Sequence, residues 1–183
     1  MWRVSPDARE LSLAEGPVPG DSSSRLTEVP PIAGYGGTGN VTGEVVYVNY
    51  GLIEDYATLD SSSVSVRGKI AIARYGRSFR GIKAREAERG GAIGLLVYSD
   101  PQDDGYVRGD AYPAGPMRPP HGVQRGSSFN GLGDPTTPGV PSVRGVRRID
   151  PSAAGVASIP IVPISYGNAT ELLREGSRPG LRG

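Results

Sequence analysis

Cysteine is absent from the 183 residues, which excludes a disulfide framework and any thiolate metal site. Histidine occurs once, at His121, so no metal centre built on several imidazoles can form within this chain. No run of about 18 apolar residues exists, and nothing in the sequence reads as a membrane-spanning helix. An excess of charge is also lacking: 20 Lys+Arg stand against 19 Asp+Glu. At a net charge of +1, no electrostatic argument favours nucleic acid or an anionic membrane surface. The opening residues, MWRVSPDARELSL, show no basic segment followed by an apolar one, so they do not read as a signal peptide.

What the chain has in quantity is Gly, with 28, and Pro, with 17. They alternate with apolar runs, which points to a loop-rich folded domain. The clearest pattern spans residues 67–101. Residues 69–74 form an apolar run suited to a strand buried on both faces. Residues 82–89 carry five charges and no Gly or Pro, and predict a short helix stopped by Gly90-Gly91. On that helix Lys83, Arg85, Glu86 and Glu88 read as a solvated face. Residues 92–98 predict a second strand, closed by Ser99-Asp100-Pro101. Strand, helix and strand make a right-handed βαβ crossover with parallel strands. Its first loop, residues 77–81, then lies at the carboxyl edge of the sheet, where open α/β sheets place ligands.

Around this unit the signals are weaker. Residues 11–31 hold four prolines and a Ser-rich patch, and predict an extended arm laid along another surface. Residues 34–39 match G-x-G-x-x-G, but a Pro-rich arm precedes the match and a strand follows it, so a turn is favoured over dinucleotide binding. A strand is expected at 45–50 and a short helix at 52–59, with Ile53, Tyr56, Ala57 and Leu59 inward. Residues 102–150 lose periodicity, and having few large apolar residues they call for another surface to order them. Pro160 and Pro163 predict an edge strand at 158–164. A final helix follows, capped by Asn168 with Glu171 or by Ser165, and stops at Gly176.

The chemistry-bearing residues are few. His121 sits in a loop context with no nucleophile motif around any Ser. Asp100, Asp103, Asp104 and Asp110 match no calcium-loop spacing and read as a hydrated acidic loop. The sequons at Asn40 and Asn168 are formal matches that assign no compartment. Arg80, between an aromatic and a Gly at the strand-to-helix loop, could present a planar fork of donors to a carboxylate; a surface Arg covering the helix start is the plainer reading of the residues alone.

The run GKIAIARYGRSFRGIKAREAERGGAIGLLVYSDP, followed by GVQRGSSFNGLGDPTTPGVPS and SIPIVPIS, resembles the protease-associated (apical) domain of the zinc-dependent exopeptidases. The likeness is greatest to the branch of glutamate carboxypeptidase II, its N-acetylated alpha-linked acidic dipeptidase relatives and the transferrin receptor. It implies an α/β fold with a mixed central β-sheet, flanking helices and a long Gly/Pro-rich loop. It divides the chain into an N-terminal extension at 1–12, the protease-associated domain at 13–176 and a C-terminal tail at 177–183, with ends that fit an excised domain.

Carried over residue by residue, the resemblance assigns Phe79 and Arg80 to the pocket for the peptide's C-terminal residue. Ser127 stands where the carboxypeptidase has an Asn reaching the same carboxylate, a departure from the family pattern. Thr137 and Val140 would give oxygens to a calcium shared with the peptidase domain, whose carboxylate ligands this chain does not have. No catalytic residue and no cofactor of this chain's own are implied; two zinc ions belong to the parent's peptidase domain. The expected role is a lid for substrate recognition and dimer contact in a homodimeric parent. The parent would be secreted, periplasmic or membrane-anchored outside the cell, with this chain touching no membrane. A non-catalytic protein-binding module, as in transferrin-receptor-like or sorting-receptor-like proteins, is the alternative.

Overall fold

The computed structural model describes residues 1–25 and 29–176; the expected tail at 177–183 lies outside the described residues. Chain order is β1 (Trp2–Arg3), β2 (Arg9–Glu10), β3 (Ala33–Gly34), β4 (Val45–Tyr47), α1 (Ile53–Ser61), β5 (Ile70–Arg74) and α2 (Arg80–Arg89). It continues with β6 (Gly94–Tyr98), α3 (Pro101–Asp104), β7 (Gly126–Ser127), β8 (Ile161–Ile164) and α4 (Tyr166–Gly176). The central sheet has the order β4-β5-β6-β8.

The α/β class and the βαβ crossover stand as expected, but the strand directions differ. All three pairings in the central sheet are parallel, and the antiparallel pair, β1 with β2, forms a separate small sheet. The reason is connectivity: each central strand is reached through a helix or a long excursion rather than a hairpin. β8 is an edge strand, as its prolines require, and pairs with β6 alone.

Strand alternation divides the core between the two faces of the sheet. Ala71, Ala73, Leu95 and Val97 meet Leu59 of α1 and Ala84 and Ala87 of α2 on one face. Ile72, Leu96, Tyr98 and Ile164 meet Ala169 and Leu172 of α4, together with Leu11, on the other. Alanines at the α2 contact let the helix approach the sheet closely.

Two local readings are corrected, and a choice left open at the start of α4 is decided. In α1, Ile53 is 61% exposed and Ala57 is also outward, while Asp55 and Leu59 are buried. Asp55 goes inward because its carboxylate accepts from the Leu52 backbone N at 3.0 Å and from Asn49 Nδ2 at 2.8 Å, closing the helix start. On α2, Lys83 is fully buried and Glu86 is 7% exposed, so neither belongs to a solvated face. The Lys83 ammonium donates to the carbonyls of Tyr50 at 2.6 Å and Gly76 at 2.7 Å, which is what makes its burial tolerable. In α4, Ser165 Oγ accepts from the Asn168 N at 3.2 Å. Ser165 is therefore the cap, and Asn168 lies inside the helix with its amide donating to Ser12 O.

The expected extension at 1–12 packs on the body: Leu11 is buried, and Arg3 and Arg9 pair with Glu171 of α4. Residues 34–39 enter no helix, so the dinucleotide geometry is not formed. Gly37 answers to close packing instead, because a Cβ there would stand 1.9 Å from the Ser158 carbonyl oxygen. The long loop after β6 takes its ordering contacts from this chain itself. Tyr75 donates to Gln124 O at 3.0 Å, Ser128 N to Gly34 O at 2.8 Å, and Asn130 Nδ2 to Gly81 O at 2.8 Å. Nor is the acidic stretch simply hydrated: Asp100 caps α3 and accepts from Tyr98, Asp103 accepts from Tyr50, and Asp104 pairs with Arg118.

Candidate functional site

β5 ends at Arg74, and the chain passes through Tyr75, Gly76 and the left-handed Arg77, φ 59°, to an extended Phe79 before α2 begins. Arg80 is therefore the first residue of the helix rather than a loop residue, and its backbone is held by α2. The short parallel pair β3–β7 brings residues 124–127 beside it. The structure thus places Phe79, Arg80 and Ser127 together at the carboxyl edge of the sheet.

The guanidinium of Arg80 is half-buried. Nη1 donates to the Ser127 carbonyl at 3.3 Å and Nη2 to Gln124 Oε1 at 3.4 Å. Its Cζ lies 5.4 Å from the Tyr75 ring centroid and 5.8 Å from that of Phe79. Nε is buried and has no hydrogen-bond partner. Both η contacts are at the long end for charge-assisted bonds, so the donor capacity of this cation is poorly spent within the chain. Ser127 Oγ accepts from the Phe129 N at 3.1 Å, which orients the hydroxyl and leaves its own proton to donate.

Phe79, 46% exposed, and the tilted pair Tyr35–Phe129, ring centroids 5.4 Å apart, give the neighbourhood an aromatic surface. Burial pushes the Tyr75 phenol up, against the lowering pull of Arg80. Tyr75 is thus a neutral hydroxyl at ordinary pH, donating to Gln124 O. The arrangement can bind a planar anion beside an apolar surface; it contains no nucleophile paired with a base.

Gln124, Gly126 and Tyr75 complete the site and were not singled out from sequence. The signal available was the V-Q-R-G run itself, in which Gly126 takes φ +158° where the loop passes the guanidinium.

Thr137 and Val140 lie elsewhere, in a turn where the Val140 N donates to the Thr137 carbonyl at 3.2 Å. The nearby Asp134 carboxylate accepts from Thr136, Ser142 and Arg148, and the Arg148 bond foremost holds its pKa far below the usual range. Among the described residues no group of three or more His, Asp or Glu is placed to hold a metal. Two neutral oxygens do not make a calcium site, which wants about six to eight. His121 is not a solvated loop residue: it lines a cleft of about 400 Å³ with Arg9, Ser165, Asn168 and Glu171, and its Nε2 is buried without a partner. No helix among the described residues is long and apolar enough to cross a membrane.

The family model described as the PA domain matches residues 41–144. The chain is 42% identical over 151 residues to the glutamate carboxypeptidase 2 homolog of Caenorhabditis briggsae, covering 78% of this chain and 20% of that protein. It is 40% identical over 147 residues to the mouse aminopeptidase NAALADL1, again covering 78% and 20%. Among solved structures, the aminopeptidase from Aneurinibacillus sp. strain AM-1 overlaps 36% of this chain and 15% of its own at 32% identity, with a TM-score of 0.32. The chain spans about a fifth of the length of the curated relatives it matches. With the crossover, the V-Q-R-G loop and most of the long Gly/Pro excursion inside the matched region, the chain belongs to the PA domain family, in the form carried by glutamate carboxypeptidase-like proteins.

Proposed function

We propose that this PA domain serves as a lid over the active site of a zinc-dependent exopeptidase, where Arg80 and Ser127 receive the C-terminal carboxylate of a peptide. The observation that carries the reading is the half-buried guanidinium at the sheet's carboxyl edge, with only long hydrogen bonds to its own chain and an exposed aromatic beside it. Arg80 supplies charge-assisted donors, Ser127 supplies a hydroxyl already oriented by the Phe129 N, and Phe79 and Phe129 exclude water beside them. Zinc, held by the peptidase segment, would polarise the scissile carbonyl and activate water when bound. This chain's part is to hold the substrate in register.

On the same reading the partners are the peptidase and dimerisation domains of a homodimeric parent located outside the cytoplasm. Thr137 and Val140 would add oxygens to a calcium whose carboxylates come from the peptidase domain.

The test is Arg80→Ala in the full-length protein, assayed on matched peptides ending in a free carboxylate or an amide. Loss of a hydrogen-bonded charge of this kind is worth about 1.5–3 kcal/mol, so kcat/KM should fall about 10- to 100-fold for the acid and little for the amide. Equal effects on both peptides, or no effect with the protein folded, would refute the role.

A further inference from the structure

We propose that Gly126 is a positioning residue for Arg80: its missing side chain is what allows the guanidinium to rest against the loop backbone in a single pose. This rests on the assignment of Arg80 to a substrate carboxylate. An arginine stem has many rotamers, and recognition of a planar carboxylate needs the plane of the fork fixed beforehand. α2 fixes only the Arg80 backbone. The plane is fixed by the Ser127 carbonyl, Gln124 Oε1 and the Tyr75 ring, and in each case the guanidinium must lie close to residue 126 to reach them.

The fit there leaves no room for a methyl group. A Cβ on Gly126 would stand 2.0 Å from Arg80 Nη1, 2.7 Å from Cζ and 3.1 Å from Nη2. Those three nearest atoms all belong to the Arg80 guanidinium and none to backbone. The side chain that must move in this conflict is therefore the arginine, and φ +158° adds a backbone strain at residue 126 that is independent of it. The loop has its own anchors, Tyr75 Oη on Gln124 O, and the Ser128 N and Oγ on Gly34 O, both at 2.8 Å. Gly126 thus determines specificity without touching substrate.

The experiment compares wild type, Gly126→Ala, Arg80→Ala and the double variant in the full-length protein, on the acid and amide peptides. Gly126→Ala is expected to lower kcat/KM for the acid at least about tenfold, mainly through KM, and to leave the amide within about twofold. In the Arg80→Ala background the same substitution should leave the acid-to-amide ratio unchanged, because the atoms it displaces are gone and the backbone strain at φ +158° bears on both peptides alike. A free-acid preference unchanged by Gly126→Ala, or a double variant additive in that ratio, overturns the proposal. If Arg80→Ala itself leaves the preference unchanged, the carboxylate reading fails on its own. Should Gly126→Ala not accumulate as folded protein, Arg80→Ala must restore it; a double variant that also fails to fold assigns the need for glycine to backbone strain at φ +158° rather than to the guanidinium, and overturns the proposal.

Discussion

Lys83 is a charged side chain held wholly out of water. Burial lowers its pKa to about 8, with Asp55 opposing and Arg74 reinforcing the shift. A neutral amine still has two N–H groups for the two carbonyls it serves, so deprotonation keeps both bonds. Because the folded pKa lies below the unfolded one, between about pH 8 and the ordinary lysine range the unfolded chain binds the proton and the folded chain does not. Stability from this group is therefore gained as pH rises through that window and is missing below it. Tyr47, Tyr75 and Tyr98 act in the opposite sense, since burial raises each phenol, but only from about pH 10 upward. Relative to Lys83→Met, the wild-type melting temperature should climb between pH 7.5 and 9.5; parallel curves would contradict the shift. The variant leaves two carbonyls without a donor, at about 1–3 kcal/mol each where they are shut from water, which urea unfolding at pH 7 would register.

At the scale of elements, glycines mark where backbones touch, and two of them differ in kind. At Gly126 the obstacle to a Cβ is a movable side chain, whereas at Gly37 it is the backbone of Ser158 and Ile159. The Gly37 N donates to Ile159 O at 2.9 Å, so residues 36–39 cover the chain just ahead of β8. Gly37→Ala should cost about 1–3 kcal/mol or more, seen as a lower denaturation midpoint with an unchanged slope.

The crossover β5–α2–β6 was legible from its apolar runs and its Gly stop, and β8 from prolines that only an edge strand tolerates. Lys83 and Glu86 were misread because charge is a good guide to exposure only where no partner is at hand: two buried carbonyls receive Lys83, and Arg85 and Arg89 cover Glu86 from the solvent side. Arg80 could be placed near the sheet edge from local pattern, but Gln124, Gly126 and Ser127 reach it through the pairing of β3 with β7. That contact lies far along the chain and has no period to betray it.

For the molecule as a whole, the arm and the long loop are fastened to each other as well as to the sheet. Glu15 accepts from the Val123 N at 2.7 Å and pairs with Arg125 at 2.5 Å, which ties the arm to the strand of loop beside Arg80. Glu15→Ala should leave global stability within about 1 kcal/mol while hastening amide exchange at 123–127, read by hydrogen–deuterium mass spectrometry. Unaltered exchange there would show that β3–β7 pairing holds the loop unaided.

The parallel order β4-β5-β6-β8 also governs how the protein can be made. During synthesis β6 is complete long before its outer neighbour leaves the ribosome, and until then a fully apolar strand, Gly94–Tyr98, has one ladder of amides and carbonyls unpaired. The region matched by the family model stops at residue 144, short of both β8 and α4. A gene fragment trimmed to those limits would therefore yield a polypeptide with a sticky flank and half its second hydrophobic layer missing, suited to clumping rather than to crystals.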